Sequence, residues 1–523
     1  MILDLYPGDR PFERADSGRF FGRAAEAALV GELWLNHPLT FLSGLAGVGK
    51  TSLLAAGVMP LVNDNRSLLL PIGGFSGDSG YPIAGLRRHN PYTLALLRSW
   101  SPGARVQELA DWSVDDFLVR QGQGVDSSVL VLAAIDQADD LFAGPATRER
   151  DRQRRSFLRQ LADALSEQPQ LRLLIAARDY VLPELTEILG DGECFELGPL
   201  TVDAAQEAVE RPGGFDQQAA SEVVRSVRTS RVVTTRDGER RESLIIASEV
   251  EPALLQATCA RLAESLHVRS DPITRREMQQ RGDVDGALSG YCASAMAAVA
   301  QMHEVSVSRL RTWLINSFIT QVGELEEVTE GQAAAEHVSA TTTRALEDRH
   351  LLRSRADPPA RRYTLISHRL IEPLRNAPDD GEVRVSPLEQ LRQAGRARVV
   401  GELELATRYA DEAIRVAEDE ELRLHAQATS LLGDIAYENE EWVAAEQHYR
   451  RAAEIFGTAM DKGAVSQQLY AVAQTLAARG QYHAALTEIS SALERDPGNP
   501  IIQAELSGMI NRLSRRAKPD IDA

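Results

Sequence analysis

The chain has 523 residues, an apolar fraction of 43% and a net charge of −19, from 57 Lys and Arg against 76 Asp and Glu. Its length gives room for roughly three or four domains, and its charge argues against general attraction to nucleic acid or anionic membranes. No apolar run approaches the ~20 residues of a membrane helix, and the first residues do not form a signal sequence. The three cysteines have no metal-binding spacing. These features predict a soluble cytoplasmic protein with reduced thiols.

The chain begins with a Pro/Gly-rich segment, Tyr6–Phe12, and continues through Phe20-Phe21-Gly22-Arg23 into a helix that ends at about Trp34. A short apolar strand then leads into Gly44–Thr51, which fits the phosphate-binding loop pattern in full. Because the first helix lies just upstream of this loop, we interpret the residues before it as a contact to the adenine side of a nucleotide. The alternative is a simple lead into an amphipathic helix.

The loop residues suit the binding of a polyphosphate. Glycines let the backbone curl so that successive N–H groups face one anion, and the helix that follows adds its positive end. We expect Lys50 to reach the β- and γ-phosphates and the Thr51 hydroxyl to hold Mg²⁺. Only three of the 57 basic residues are lysines, so the ammonium kept here is informative. A chance Gly-rich turn is the alternative, but strand, loop and helix follow in the required order. The predicted ATP- or ADP-binding residues of the loop are Gly44, Gly47, Val48, Gly49, Lys50, Thr51 and Ser52.

Two further strands are predicted at Ser67–Ile72 and Ser128–Ile135. The second is a continuous apolar run, as expected of a strand buried on both faces of a parallel sheet. It ends in Asp136, where open α/β sheets bind ligands, so we expect Asp136 to hold Mg²⁺ through water. Asp139 is the first choice for the base that polarises the attacking water, and Asp140 is the second. The alternative for both is favourable charge at a helix N-terminus.

The next buried strand, Leu171–Ala177, is followed by Arg178, and Cys194–Leu197 forms a last short strand. Arg178 is placed to sense the γ-phosphate, although a salt bridge to a carboxylate is the alternative. Together these elements predict a P-loop NTPase core over residues 1–200, with a parallel sheet and helices on both faces.

The pattern turns helical after residue 200. A helical domain is predicted over 201–266, interrupted by a hairpin whose strands, Arg231–Thr235 and Glu242–Ile246, flank the favoured turn Asp237-Gly238. Residues 267–378 give several helices and then a second hairpin, which is consistent with a winged-helix-like domain. Residues 344–375 carry eight arginines against four acids, a local excess suited to DNA. The alternatives are a solvated face or a grip on nucleotide and neighbouring domains.

A linker is predicted over 379–389, and the region 390–513 carries an internal repeat. Ala406, Ala445 and Ala485 are 39 and 40 residues apart, and each precedes another alanine by seven positions, on one helix face. This spacing is typical of helix hairpins of tetratricopeptide character, slightly longer than the usual period, with a plain helical bundle as the alternative. Residues 514–523 are interpreted as a disordered tail.

Several motifs together resemble the novel STAND NTPases, a prokaryotic group of signal-transducing ATPases with numerous domains. The resemblance covers roughly residues 5–375. The motifs that carry it are Tyr6-Pro7-Gly8 with Arg10-Pro11-Phe12, Phe20–Arg23, the phosphate-binding loop, Asp136–Phe142, Pro199-Leu200-Thr201, Pro212, and Val250–Gln256 with Cys259–Leu262.

The resemblance implies an ATPase core, a helical domain and a winged helix that clamp ADP, with exchange for ATP opening the clamp and allowing self-association. It places Phe21, Gly22 and Arg23 beside the adenosine and Pro212 near the base. His368 is the candidate for the residue that senses ADP. The alternative is a histidine at the start of a helix, because an ungapped comparison puts Ser367 on the family's histidine position. The acidic pair Asp139-Asp140 stands where the family usually has Glu. The shorter side chains imply slower hydrolysis.

The leading hypothesis is therefore an ATP-dependent switch that becomes a homo-oligomer in its ATP state. Its repeats bind a protein partner, and its effector is supplied by another protein. The alternatives are a repeat scaffold with a structural nucleotide domain and a DNA-binding regulator that uses residues 344–375.

Overall fold

The computed structural model describes residues 5–63, 67–76, 81–86, 89–122, 129–236, 239–266, 272–357, 360–381, 386–417 and 421–516. The chain divides into two compact units, each made of three segments. The first unit contains Met1–Gly73, Gly122–Asp139 and Leu161–Arg384. The second contains Gly74–Gln121, Asp140–Gln160 and Val385–Ala523.

A parallel five-stranded sheet forms the centre of the first unit. Its strands are β1 (Leu39–Ser43), β2 (Ser67–Gly73), β3 (Leu130–Ile135), β4 (Leu171–Ala176) and β5 (Glu193–Glu196). They are ordered β2-β3-β4-β1-β5, and every neighbouring pair is parallel. The predicted parallel α/β core is confirmed. Because β1, β3 and β4 are neighbours, the segments that follow them meet at one edge of the sheet.

Helices and strands alternate along the chain up to Leu189. The helices of this stretch that belong to the first unit are α1 (Ala24–Asn36), α2 (Lys50–Ser52), α3 (Met59–Val62) and α8 (Leu182–Leu189). Those of the second unit are α4 (Pro91–Trp100), α5 (Val106–Leu109) and α6 (Val114–Gln121), and α7 (Arg148–Glu167) begins in the second unit and ends in the first. A π-helical stretch, Leu53–Val58, joins α2 to α3. Its leucines pack with Trp34 of α1 against Leu132 and Leu174 of the sheet. This apolar contact fixes the helix that begins at the phosphate-binding loop.

The rest of the first unit is mainly helical. Its elements are α9 (Val202–Glu210), α10 (Gln217–Arg228), β6 (Thr229–Arg236), β7 (Glu239–Ile246), α11 (Pro252–Leu266), α12 (Arg275–Arg281), α13 (Val284–His303), α14 (Val307–Phe318), β8 (Val328–Thr329), α15 (Glu330–Ala335), α16 (Ala340–Asp348), β9 (Leu352–Asp357), β10 (Ala360–Leu365) and α17 (Ile371–Asn376). Strands β6 and β7 pair as the predicted hairpin, whose turn residues lie outside the described ones. The second predicted hairpin is β9–β10, and β8 adds a third strand to it. One apolar core extends from Leu200 to Ala377.

The second unit ends in antiparallel helices joined by short turns. They are α18 (Pro387–Val400), α19 (Leu403–Val416), α20 (Leu422–Glu438), α21 (Trp442–Thr458), α22 (Lys462–Ala478), α23 (Tyr482–Arg495) and α24 (Pro500–Arg516). The repeated alanines of α19, α21 and α23 are fully buried, because a small side chain lets neighbouring helices approach closely. Residues 517–523 of the predicted tail lie outside the described part. Among the described helices, none is both long and apolar enough to cross a membrane.

Candidate functional site

The phosphate-binding loop joins β1 to α2 in a conformation that depends on glycine. Gly44, Gly47 and Gly49 all have positive φ, of 145°, 81° and 96°. A Cβ on Gly44 would lie 2.5 Å from the carbonyl oxygen of Leu197, so its position also excludes a side chain for steric reasons. Around Gly49, a Cβ would meet no atom within 4 Å. Gly49 is therefore required only for its backbone angle, at the N-cap of α2.

The ammonium of Lys50 lies over this loop. Its Nζ donates hydrogen bonds to the carbonyl oxygens of Gly44, at 2.6 Å, and Leu45, at 3.0 Å. Burial lowers the pKa of Lys50, and the nearby carboxylates of Asp139 and Asp136 oppose this effect. The loop and the acids that follow β3 thus share one electrostatic environment.

Thr51 and Asp136 form the pair that could hold a metal ion. The Thr51 hydroxyl is hydrogen-bonded to the Asp136 carboxylate, and burial raises the pKa of Asp136. A hydroxyl and a carboxylate are the hard oxygen ligands that Mg²⁺ prefers. Within the described residues, no group of three or more His, Cys, Asp and Glu side chains is placed to bind a metal. These two residues therefore fit an ion that takes its remaining ligands from phosphates and water.

Arg178, directly after β4, is surrounded by carboxylates. Its Nε lies 3.4 Å from Asp139 Oδ2, its Nη1 donates to Glu347 Oε2 at 2.6 Å, and its Nη2 donates to Asp348 Oδ1. Glu347 is fully buried and also accepts hydrogen bonds from the Ser354 N–H and hydroxyl. Burial acts to lower the pKa of Arg178, but the carboxylates outweigh it and hold that pKa well above its usual value. The salt-bridge alternative for Arg178 is thus present, and it links the acid after β3 to the end of α16.

The two acids after Asp136 have different partners. They lie in a short 3-10 turn, Ala138–Phe142, well before α7 begins, so neither caps that helix. Asp139 faces Arg178 in the first unit. Asp140 is 3% exposed, and both of its oxygens accept from Arg396 of α18 in the second unit. The two candidate bases are therefore held by different parts of the chain.

Arg23 and Ser52 support the loop through hydrogen bonds. Arg23 is buried, and its Nη2 donates to the carbonyl oxygens of Gly198, at 2.6 Å, and Val48, at 3.3 Å. The Ser52 hydroxyl accepts from the Phe12 N–H at 3.1 Å. Both predicted nucleotide-binding residues thus position the loop and the segment before α1.

The segment before α1 packs on α9 and the turn that follows it. A Cβ on Gly22 would collide with the carbonyl oxygen of Ala204. The guanidinium of Arg211 lies 4.8 Å from the centre of the Phe21 ring, and Pro212 is the next residue along the chain. The structure therefore brings Phe21, Gly22 and the Pro212 turn to the same place.

His368 begins a 3-10 turn, His368–Leu370, after β10. Burial lowers its pKa, and the charged groups that affect it are Glu324 and Arg353. No residue of the phosphate-binding loop is among these neighbours.

His350, which belongs to no recognisable sequence motif, faces the loop instead. It follows α16 with a positive φ of 54°. A Cβ on Gly47 would lie 3.4 Å from its Cγ and Nδ1. Its Nδ1 is buried and has no hydrogen-bond partner among the described residues, and burial lowers its pKa to about 4. No pattern in the sequence marks this residue, because its position depends on how α16 packs on the core.

Most arginines of the 344–375 segment have partners within the first unit. Arg353 pairs with Glu251 at 3.2 Å, and Arg369 pairs with Asp285. The guanidinium of Arg361 lies 3.8 Å from the centre of the Tyr180 ring. These contacts match the alternative of a grip on neighbouring segments.

Comparison with known proteins gives one family match. The family model of Novel STAND NTPase 1 matches residues 6–373. No curated protein sequence matches the chain.

Three solved structures that resemble the chain each share 12% sequence identity with it. A chain of the HORMA:CdnC:Trip13 complex of Escherichia coli MS115-1 aligns with 53% of this chain over 95% of its own length, at a TM-score of 0.32. The ORC2 protein of Aeropyrum pernix aligns with 68% of this chain over 93% of its own length, at a TM-score of 0.32. A STAND protein with a tetratricopeptide repeat sensor from Pyrococcus horikoshii aligns with 97% of this chain over 76% of its own length, at a TM-score of 0.28.

Proposed function

Because this chain belongs to the Novel STAND NTPase 1 family, we propose that it is an ATP-operated switch. An ADP-bound closed state is exchanged for an ATP-bound state that opens and self-associates. The observation that carries this proposal is the meeting of Lys50, Thr51 and Asp136 at one edge of the parallel sheet. ATP shifts the equilibrium only as far as it binds the open state better than ADP does.

In this proposal, the loop N–H groups and Lys50 bind the phosphates, while Thr51 and Asp136 hold Mg²⁺. The ion would neutralise charge on the β- and γ-phosphates. Phe21, Gly22 and Pro212 would contact the adenosine, and Arg23, which donates to the Val48 carbonyl oxygen, would keep the loop in position. Hydrolysis, slow because the acids are aspartates, resets the switch.

The closed state is proposed to depend on Arg178. Its guanidinium joins β4 to Glu347 and Asp348 at the end of α16, within the segment that we propose to be a winged-helix-like domain. A γ-phosphate that attracts Arg178 would leave the buried Glu347 carboxylate without this partner. Since an unpaired buried charge is costly, α16 would then move to expose that carboxylate to solvent.

His350 is proposed as a histidine that contacts the nucleotide from the α16 side. Its Nδ1 is buried beside Gly47 and able to bond a phosphate oxygen. His368, the candidate named from the sequence, becomes the second choice for this role, because the charged groups near it are Glu324 and Arg353 rather than residues of the loop.

The helices α18–α24 are proposed to be tetratricopeptide-like repeats that bind a protein partner. The effector would be a separate protein recruited in the ATP state. DNA binding by residues 344–375 ranks last, because these arginines are used for contacts such as Arg353 with Glu251.

Calorimetric titration with Mg·ATP and with ADP tests the proposed site. We expect Lys50→Ala to remove ATP binding while the exposed Lys462→Ala, the matched control, binds as the wild type does. ATP affinity that is unchanged in Lys50→Ala would refute the site assignment.

A further inference from the structure

A short segment from outside the repeats lies on two of the repeat helices. Residues 81–86 belong to the second unit, as α18–α24 do. The Ile83 N–H donates to Oδ1 of Asp434, on α20, at 2.9 Å. A Cβ on Gly85 would lie only 3.1 Å from Cδ1 of Tyr470, on α22, so this glycine is in close contact with the ring. The segment therefore touches the first helices of two neighbouring hairpins, α20–α21 and α22–α23.

The segment is seated on these helices much as a short peptide ligand is seated on a receptor. Tyr81 and Ala84 are almost completely buried. Ala84 packs in an apolar cluster whose other members all belong to α20–α24. Pro82, with a φ of −67° and a ψ of 132°, has the polyproline II conformation, and a 3-10 turn, Ile83–Gly85, follows it. Proline-containing segments of this conformation commonly dock on surfaces lined by aromatic side chains.

The polar contact beneath the segment is incomplete. Asp434 is fully buried, and its Oδ1 accepts from the Ile83 N–H and the Tyr449 hydroxyl, each at 2.9 Å. Its Oδ2 has no hydrogen-bond partner in the part of the chain that the structure describes. Burial raises the pKa of Asp434 to about 7, against the effect of the Arg398 charge. Covering a carboxylate with one oxygen unpaired is unfavourable, so the segment is held less tightly than its apolar contacts alone would hold it.

We propose that Asp434, Tyr449 and Tyr470 form the face on which the repeats bind a protein partner, and that residues 81–86 occupy this face until the partner's own peptide replaces them. This inference rests on the proposed partner-binding role of the repeats. The partner presents a short apolar peptide in which a proline precedes the residue whose N–H reaches Asp434. Small residues follow at the positions of Ala84 and Gly85, because a larger side chain at the second position would collide with Tyr470. Since the chain's own segment is tethered, its effective concentration is high, of the order of mM, and the face stays closed to weak ligands.

Fluorescence anisotropy of a labelled peptide of residues 81–86, added to the full chain, tests the proposal. Gly85→Val in the chain places methyl groups against Tyr470 and should remove its own segment from the face. If that segment occupies the face about nine-tenths of the time or more, the variant should bind the peptide at least about tenfold more tightly than the wild type. The matched control is Gly103→Val, at an exposed glycine of the same inserted segment, where a Cβ would meet no atom within 4 Å. It should bind the peptide as the wild type does.

Two further variants separate docking of the segment from a general change in the fold. Ile83→Pro in the chain removes only the N–H that Asp434 accepts, at the first position of a 3-10 turn, where the φ of proline is tolerated. It should also tighten peptide binding several-fold. A labelled peptide that carries the Gly85→Val change should bind none of these chains.

Equal peptide affinity of the wild type and a Gly85→Val chain with wild-type circular dichroism would overturn the proposal, as would binding of the altered peptide. If Gly85→Val does not fold, Ile83→Pro is judged by the same criteria. Loss of folding in both would show that the segment is a permanent part of the core. Wild-type dimers that Gly85→Val abolishes would show that the face takes the segment of a second copy instead of a separate partner.

The peptide measurement contains no nucleotide. Its failure therefore rejects this docking face alone and leaves the nucleotide switch as it stands. A wild type that does not bind ATP in calorimetry would instead refute the switch.

Discussion

Replacing Glu347 by Gln tests whether the ion cluster around Arg178 holds the proposed closed state together. The side chain of Glu347 is 1% exposed, and its Oε2 accepts from Arg178 at 2.6 Å. Gln keeps the shape and an acceptor for Ser354 but removes the negative charge. A buried hydrogen bond to a charged group contributes about 1.5–3 kcal/mol. Taking about 2 kcal/mol, opening becomes more favourable by roughly 30-fold.

The assay is the release of a fluorescent ADP analogue during a chase with unlabelled ADP. We expect release from Glu347→Gln to be roughly 30-fold faster than from the wild type. Asp348→Asn is the control, because the Asp348 side chain is 30% exposed and also bonded to Arg178. An ion pair that solvent reaches contributes about 0.2–1 kcal/mol, so release should rise about fivefold or less. Wild-type release from Glu347→Gln, or equal effects of the two substitutions, would show that the buried Glu347–Arg178 pair does not hold the closed state.

Three further outcomes are expected. Gly44→Ala should abolish ATP binding in calorimetry, because its Cβ would lie 2.5 Å from the Leu197 carbonyl oxygen at a φ of 145°; full binding would show that the loop tolerates a side chain. Asp139→Asn should bind Mg·ATP normally but hydrolyse it more slowly, and unchanged turnover would remove Asp139 as the base. Burial lowers the pKa of His350 from 6.5 to about 4. Between these pH values the unfolded chain binds a proton that the folded chain does not bind. The free energy of unfolding therefore decreases as pH falls from about 6.5 towards 4. At pH 5 the loss is about 2 kcal/mol relative to neutral pH. Urea unfolding of His350→Gln should therefore depend less on pH than that of the wild type, and equal slopes would contradict this.

The sheet and the phosphate-binding loop were predictable because their signals are local. The apolar run before Asp136 indicates a strand buried on both faces, and the loop glycines are set by backbone geometry at fixed spacing. The edge where Lys50 and Asp136 meet then follows from the topology of parallel sheets.

The partners of the charged residues were not predictable in the same way. Arg178 pairs with Glu347, 169 positions along the chain, and no local pattern encodes a contact at that separation. The same holds for His350 beside Gly47 and for Arg396 on Asp140. Burial, and therefore pKa, is set by tertiary packing, so the sequence indicates the chemistry of these residues but not their pairing.

The insertion of the segments 74–121 and 140–160 into the second unit also had no signal in the sequence. The amphipathic patterns of these segments fit helices that pack on the sheet as well as they fit helices of the second unit. The assignment depends on long-range contacts such as that of Asp434, which is fully buried and accepts from the Ile83 N–H and the Tyr449 hydroxyl.

The proposed switch is tested most directly by measuring the mass of the full chain by light scattering, in Mg·ADP and in Mg²⁺ with a non-hydrolysable ATP analogue. If the chain is the proposed switch, it is a monomer in ADP and a larger, discrete assembly in the analogue, and Lys50→Ala remains monomeric in both. The same mass in both nucleotides, at concentrations where calorimetry shows that each is bound, would contradict the switch.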